Sequence, residues 1–151
     1  MIIENVYLFQ DMSSQFKDRV GECLKWESAP AGAFLFKCGD PAGYMYILSE
    51  GHVRLSYGEQ GNVALGVRNT GDVFGWSGLV GRDAYAASAE CLDATVVAKI
   101  SKDDLVRIFD ADPVSGLRFY KRLSRLLAER LTDIYKLFPA AHGEKHATPG
   151  F

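Results

Sequence analysis

The sequence is poor in cysteine and histidine, the residues that most often build disulfide frameworks and metal sites. Three cysteines without CxxC spacing neither form a disulfide framework nor suggest a tetrahedral metal centre; they stand at Cys23, Cys38 and Cys91. The only histidine before residue 140 is His52, and a metal-dependent β-barrel enzyme needs several inward ligands. No GxSxG, P-loop or local Cys/His signature occurs either. We therefore expect no metal and no enzymatic activity.

Long apolar runs and a strong net charge are also absent. No stretch reaches the roughly 18 apolar residues of a membrane span, and Glu4 and Asn5 interrupt the N-terminal segment where a signal peptide is apolar. A net charge of −2 gives no general attraction to phosphate backbones. With unpaired thiols, these features predict a cytoplasmic protein that neither inserts into a membrane nor binds nucleic acid generally.

The 151 residues, 48% of them hydrophobic, suit one domain with a substantial core. Phe16, Val20 and Leu24 follow Ser13 at helical spacing, which predicts a first amphipathic helix behind a serine cap. We expect a single domain over residues 1–138 and a flexible tail over 139–151.

The middle of the chain has the features of β-structure. Val53, Leu55 and Tyr57 alternate with polar residues, which is the period of a half-buried antiparallel strand. Glycines at 51, 61, 71 and 81 stand where strands turn. The predicted strands lie within AFLFK, YMYILSE, HVRLSYG, NVALGVRN and ATVVAKI.

Two helices are predicted after this β-region. SKDD at 101–104 resembles a capping box and predicts a short helix. Asp112 is a candidate cap, and Pro113 after it is a favoured first-turn residue, so a long helix is predicted over about 113–138. This helix should stop near Pro139, which cannot continue it. Two apolar stripes run along this helix. One has coiled-coil spacing and comprises Leu117, Tyr120, Ser124, Leu127, Leu131, Ile134 and Phe138; the other comprises Phe119, Leu123 and Leu126.

Each of the two apolar stripes must be covered by another apolar surface. If one packs on the β-domain, the other is most economically covered by the same helix of a second copy, with Leu117, Tyr120, Leu127, Leu131 and Ile134 at a homodimer interface. The alternative is a helix buried on both sides within one chain. The basic residues of the long helix are interpreted as a solvated face. A basic amphipathic helix can also bind a membrane surface or a nucleic acid.

The order of elements, with the motifs FLFKCGDPAGYMYILSEGHVRL and GDVFGW, resembles the cyclic-nucleotide-binding domain family over about residues 6–138. The resemblance implies a mainly β fold with flanking helices: an antiparallel eight-stranded β-roll (jelly roll), an N-terminal helix and a long C-terminal dimerisation helix. DNA-binding members add a helix-turn-helix module after that helix. The sequence ends 13 residues after Phe138, so we expect no direct DNA binding and an unspecified downstream protein partner.

In the family a GD-x-FGE motif opens a ligand cassette, whose Glu holds the ribose and whose later Arg pairs with the cyclic phosphate. Here Trp76 stands in the place of the Glu and Tyr85 in that of the Arg. The implied ligand site comprises Phe74, Gly75, Trp76, Ser77, Gly78, Leu79, Tyr85, Ala87 and Ser88, with Ser124 from the helix above. Three roles stay open: Trp76 as a stacking platform or a plug, Arg82 as a displaced phosphate partner or an exposed turn residue, and Ser124 as a ligand contact or a polar break that sets helix register.

The predicted function is that of a non-enzymatic small-molecule sensor with a degenerate phosphate cassette. Because both charged contacts are missing, cyclic AMP or cyclic GMP binding is expected to be weakened, or replaced by another small anionic ligand. No cofactor is certain. The alternative is a ligand-free dimeric protein-interaction module that retains the fold.

Overall fold

The computed structural model describes residues 2–58 and 63–138. The helix starts follow the predicted caps: Ser13, Ser101 and Asp112 each accept a hydrogen bond from the backbone amide three residues later. These caps open α1 (Ser14–Cys23), α2 (Lys102–Ala111) and α3 (Pro113–Lys136). The predicted stop at Pro139, the tail and the turn at Gly61 lie outside the described residues.

Eight antiparallel strands form two four-stranded sheets. They are β1 (Lys25–Ala29), β2 (Phe34–Phe36), β3 (Tyr44–Glu50), β4 (Val53–Tyr57), β5 (Val63–Val67), β6 (Val73–Phe74), β7 (Ala87–Cys91) and β8 (Thr95–Ser101). One sheet has the order β1-β8-β3-β6 and the other β2-β7-β4-β5. The predicted mainly β fold, a jelly roll with flanking helices, is confirmed.

The central strands β3 and β8 of the first sheet are buried on both faces. Ile47 pairs with Ala98, and both side chains enter a core shared with the three helices and the N-terminal segment. Leu48 pairs with Val97, and both enter a second core between the two sheets. The two-residue period of the strands thus divides the hydrophobic residues between an outer, helix-covered core and an inner core.

The N-terminal segment covers one side of the outer core. Short 3₁₀ helices at Ile2–Asn5 and Tyr7–Phe9 bring Ile3, Leu8 and Phe9 into it, all fully buried. The Phe9 ring stacks on Phe119 of α3 with centroids 5.9 Å apart. The N-terminus, the β-roll and the first half of α3 therefore share one core.

The two stripes of α3 have different surroundings. Phe119 and Leu123 are buried in the outer core, whereas Leu117 is 60% and Leu131 46% exposed. Tyr120, Leu127 and Ile134 are half-buried. The stripe with coiled-coil spacing is thus only partly covered within the chain. Among the described helices, none is both long and apolar enough to span a membrane.

Candidate functional site

A cavity of about 170 Å³ opens at one end of the β-roll, between the inner core and α3. The inner faces of β2 and β4 contribute Phe36, Leu55 and Tyr57. The rest of the lining comes from the segment after β5, and from Leu127 of α3. The predicted site residues in this lining are Phe74, Gly75, Trp76, Ser77, Tyr85 and Ala87.

Four predicted site residues lie outside the lining. Gly78 packs against the carbonyl of Ala42, where an added Cβ would collide with the backbone, and Leu79 belongs to the outer core. The Ser88 hydroxyl accepts a hydrogen bond from the Cys38 amide at 2.9 Å. Ser124 is exposed, and its hydroxyl donates to the carbonyl of Tyr120 at 2.8 Å. These side chains are engaged in packing or in local hydrogen bonds.

Tyr85, at the position of the family arginine, is a buried structural residue. Its ring stacks on Phe36 with centroids 3.8 Å apart. Its hydroxyl donates to the Tyr44 carbonyl at 2.7 Å and accepts from the Tyr44 amide at 3.1 Å. Burial raises the pKa of Tyr85, although the hydrogen bond to the Tyr44 backbone opposes the shift. The phenol is therefore neutral at physiological pH.

Trp76, at the position of the family glutamate, connects the cavity to α3. Its half-buried side chain packs against the outer core, and the guanidinium of Arg130 lies 5.6 Å from the ring centroid. Trp76 also lines a second cleft of about 260 Å³ together with Arg130. The hydroxyl of Tyr120 donates to the Leu79 carbonyl at 3.1 Å. Three residues of α3 thus contact the cavity or the segment that forms it.

The cavity lining carries one formal charge. Burial raises the pKa of Tyr57, so this phenol, like that of Tyr85, is neutral at physiological pH. Arg82 is exposed and lines the cavity, and its backbone amide donates to the Ser77 carbonyl at 3.1 Å. Within residues 2–58 and 63–138, no ion pair or hydrogen bond is formed by the Arg82 side chain. Among the described residues, the lining is thus uncharged apart from the Arg82 guanidinium.

Several lining residues were not in the predicted site: Phe36, Leu55, Tyr57, Val80 and Ala86. The alternation of Leu55 and Tyr57 predicted that they share a face but not what that face encloses. Leu127 was predicted at the dimer interface and also lines the cavity. Among the described residues, no three His, Cys, Asp or Glu side chains are grouped so that they could hold a metal ion.

Two four-stranded sheets around a small cavity, with Leu127 of a long helix in the cavity lining, define a jelly-roll domain with flanking helices. The sequence profile of the cyclic nucleotide-binding domain matches residues 26–112, and the chain belongs to this family. A cyclic nucleotide-binding domain from Methylobacillus flagellatus KT has a similar fold, with a TM-score of 0.77 and 24% identity over 95% of this chain and 82% of that one.

Two further proteins are similar to this chain, one in fold and one in sequence. The sensor domain of the transcriptional regulator DNR from Pseudomonas aeruginosa has a TM-score of 0.71 and 21% identity, covering 85% of this chain and 93% of that one. An NTE family protein of Mycobacterium tuberculosis is 24% identical over 127 residues, 84% of this chain. The chain spans about a fifth of the length of the curated relatives that it matches, 21%.

Proposed function

We propose that the protein is a non-enzymatic small-molecule sensor whose ligand occupies the β-roll cavity. The observation that carries the proposal is the composition of the lining: six residues of the family's ligand cassette line the cavity together with Leu127 of α3. A ligand that enters there contacts both the roll and the helix. The unpaired thiols of Cys23, Cys38 and Cys91 support a cytoplasmic setting.

The cassette is degenerate in this proposal. Trp76 and Tyr85 replace the two side chains that would hold the ribose and the cyclic phosphate. Tyr85 supplies no charge, and both hydrogen-bonding functions of its hydroxyl are used by Tyr44. A charge-assisted hydrogen bond contributes about 1.5 to 3 kcal/mol, so cyclic AMP and cyclic GMP lose a large part of their affinity. Another small ligand takes their place.

Movement of α3 transmits the signal. Leu127 lines the cavity, and Arg130 lies over the ring of Trp76, which also lines the cavity and would contact a ligand. A change of the Trp76 rotamer therefore alters the support of α3. The exposed apolar stripe of the same helix joins two copies into a homodimer, so ligand binding in each copy reaches the interface with the other. The output passes to a downstream protein partner.

A ligand-free interaction module is the second candidate. The observation in its favour is the filling of the roll: Trp76 and Tyr85 leave a cavity of only about 170 Å³, below the roughly 300 to 1,000 Å³ of typical ligand sites. In that case the fold presents α3 for association and the cavity has no ligand. Nucleotide titrations, together with a search for a copurified ligand, separate the two candidates.

The test is calorimetric titration of the wild type and of Trp76→Glu/Tyr85→Arg with cyclic AMP and cyclic GMP. We expect weak or undetectable binding by the wild type and measurable binding by the double variant, because the substitutions return a ribose acceptor and a phosphate fork. The matched control is Trp26→Glu/Phe34→Arg, which introduces the same charges at two exposed positions. This control should behave like the wild type.

Two outcomes contradict the degenerate cassette or the sensor. Tight binding of a cyclic nucleotide by the wild type means that the remaining contacts suffice. A double variant that retains its circular dichroism spectrum but binds neither nucleotide favours the interaction module. Because Tyr85→Arg removes the hydrogen bonds between the Tyr85 hydroxyl and Tyr44, Trp76→Glu alone serves as a second variant in which these contacts are kept.

A further inference from the structure

The size of the cavity restricts its ligand to one ring-sized group. An apolar cavity of about 150 Å³ can bind benzene in another protein, and this cavity has about 170 Å³. A cyclic nucleotide consists of a purine, a ribose and a phosphate, and it is larger than this volume. The cavity as it stands accommodates a single aromatic or alicyclic ring.

The lining favours an apolar, planar group. Five aromatic side chains line it. Phe36, Tyr57 and Phe74 come from three strands, Trp76 from the segment after β6 and Tyr85 from the loop after Gly81. Aromatic rings pair with one another in offset or edge-to-face geometry, which adds to the gain from burial. The Tyr85 hydroxyl is already satisfied by Tyr44, and Arg82 is the only charged residue among the described residues of the lining. The interior therefore selects against a ligand with a buried charge.

The rim of the cavity is positively charged, in contrast to the apolar interior, because Arg82 lies there. The 3₁₀ turn Ser77–Val80 ends at Gly81, which has a φ of 84°, and the Arg82 amide is bonded back to the Ser77 carbonyl. This turn holds Arg82 beside the opening. Its guanidinium is exposed, and it has no ion-pair partner among the described residues. A guanidinium matches the two oxygens of a carboxylate, and an anion at the rim keeps part of its hydration.

We propose that the cavity binds a small aromatic monocarboxylate, with its ring among Phe36, Tyr57 and Phe74 and its carboxylate paired with Arg82. The proposal rests on the sensor function and specifies its ligand class. An aromatic carboxylate combines the two features that the site separates in space, an apolar ring and one negative charge. Arg82 is then a specificity-determining residue, at a position three residues before that of the family arginine.

The test uses Trp76 as the reporter. The protein has two tryptophans, and Trp26 is 57% exposed on the edge strand β1, so Trp26→Phe leaves Trp76 as the only indole. In this background the probes are benzoate and phenylacetate, and benzyl alcohol is the neutral analogue. We expect a saturable change in Trp76 emission, with tighter binding of the carboxylates than of the alcohol.

Substitution of Arg82 distinguishes the contribution of the ligand's carboxylate to binding from that of its ring. We expect Arg82→Gln to weaken binding of both carboxylates by about five- to tenfold, because an exposed charge pair contributes modestly. Benzyl alcohol should bind this variant and the parent equally. The matched control is Arg68→Gln, at an exposed arginine that lies outside the cavity lining. It should leave all three affinities unchanged.

The outcomes distinguish this inference from the sensor proposal. Equal binding of carboxylate and alcohol, unaffected by Arg82→Gln, overturns the aromatic carboxylate but keeps a ligand-binding cavity. If no probe binds, native mass spectrometry of the purified protein decides between the two: a retained small molecule of another class overturns only the present inference. No probe binding and no retained molecule overturn both.

Discussion

Tyr85 illustrates how a single substitution can convert a ligand contact into a structural one. A guanidinium at this position would need an anion or solvent, whereas the phenol is 5% exposed, stacks on Phe36 and bonds both backbone groups of Tyr44. Its own backbone accepts from the Gly39 amide and donates to the Asp40 carbonyl, at 2.9 Å in each case. Tyr85 thereby fixes the loop between β2 and β3 against the cassette.

The first stability prediction concerns the Tyr85 hydroxyl. Tyr85→Phe keeps the ring but leaves the amide and carbonyl of Tyr44 without this partner, so we expect a loss of about 1 to 2 kcal/mol in the free energy of unfolding. Urea denaturation measures the change. The matched control is Tyr57→Phe, which removes a phenol hydroxyl that forms no hydrogen bond with the described residues. Equal stability of the two variants would contradict a structural role for the Tyr85 hydroxyl.

At the scale of an element, the segment from Gly71 to Gly81 joins the two cores. Gly71 has a φ of 93°, in the left-handed region, and an added Cβ would collide with the backbone of Asn5. Phe74 enters the inner core, while Leu79 enters the outer one. Such close approach of backbones requires small residues. The glycines of this segment thus serve packing as well as the cavity.

Gly78 tests this packing role. An added methyl group would collide with the carbonyl oxygen of Ala42, so we expect Gly78→Ala to destabilise the protein by about 1 to 3 kcal/mol. Gly43→Ala is the control, because no atom lies within 4 Å of a Cβ built there. Thermal unfolding of both variants measures the difference. A Gly78→Ala protein as stable as Gly43→Ala would mean that the segment can move away from Ala42 at little cost.

At the scale of the whole molecule, α3 has one face in the outer core and another in solvent. Phe119 and Leu123 are covered by the chain itself, whereas Leu117 is 60% and Leu131 46% exposed. Exposed apolar residues aligned along one helix usually mark an interface. The proposed dimer covers this stripe, with the cavity contact at Leu127 nearby.

We predict that Leu131→Glu dissociates the dimer. A carboxylate placed opposite its symmetry mate would be buried without a partner, so dimer affinity should fall by about 30-fold or more. Light scattering at tens of micromolar measures the mass. Leu127→Glu should also dissociate the dimer, but Leu127 lines the cavity, and Leu131→Glu is therefore the cleaner test.

The control for the dimer is Leu92→Glu. Leu92 is 49% exposed between β7 and β8, away from α3, so a charge there should leave the mass unchanged. A wild type that is monomeric at tens of micromolar would contradict the proposal, as would a Leu131→Glu variant that stays dimeric. Either result would leave the ligand cavity unaffected.

Features that depend on neighbours along the chain could be predicted from the sequence. The caps at Ser13, Ser101 and Asp112 are confirmed because a cap bonds an amide only three residues away. Five strands were predicted from runs of β-branched and aromatic residues. The strands β1, β6 and β7 were not predicted from their own residues, because they are short or weakly patterned and are stabilised by partners distant in the chain.

By itself, the sequence determined the hydrophobic periods, the caps, the two stripes of α3 and the replacement of two charged residues by Trp76 and Tyr85. Only the tertiary structure decided what these side chains contact. Tyr85 bonds a backbone 41 residues away, Ser88 and Ser124 bond outside the cavity lining, and Arg82 stands at the rim without an ion-pair partner among the described residues. The physical reason is that a period specifies which residues share a face, whereas a cavity forms where faces from distant segments meet and fail to fill the space between them.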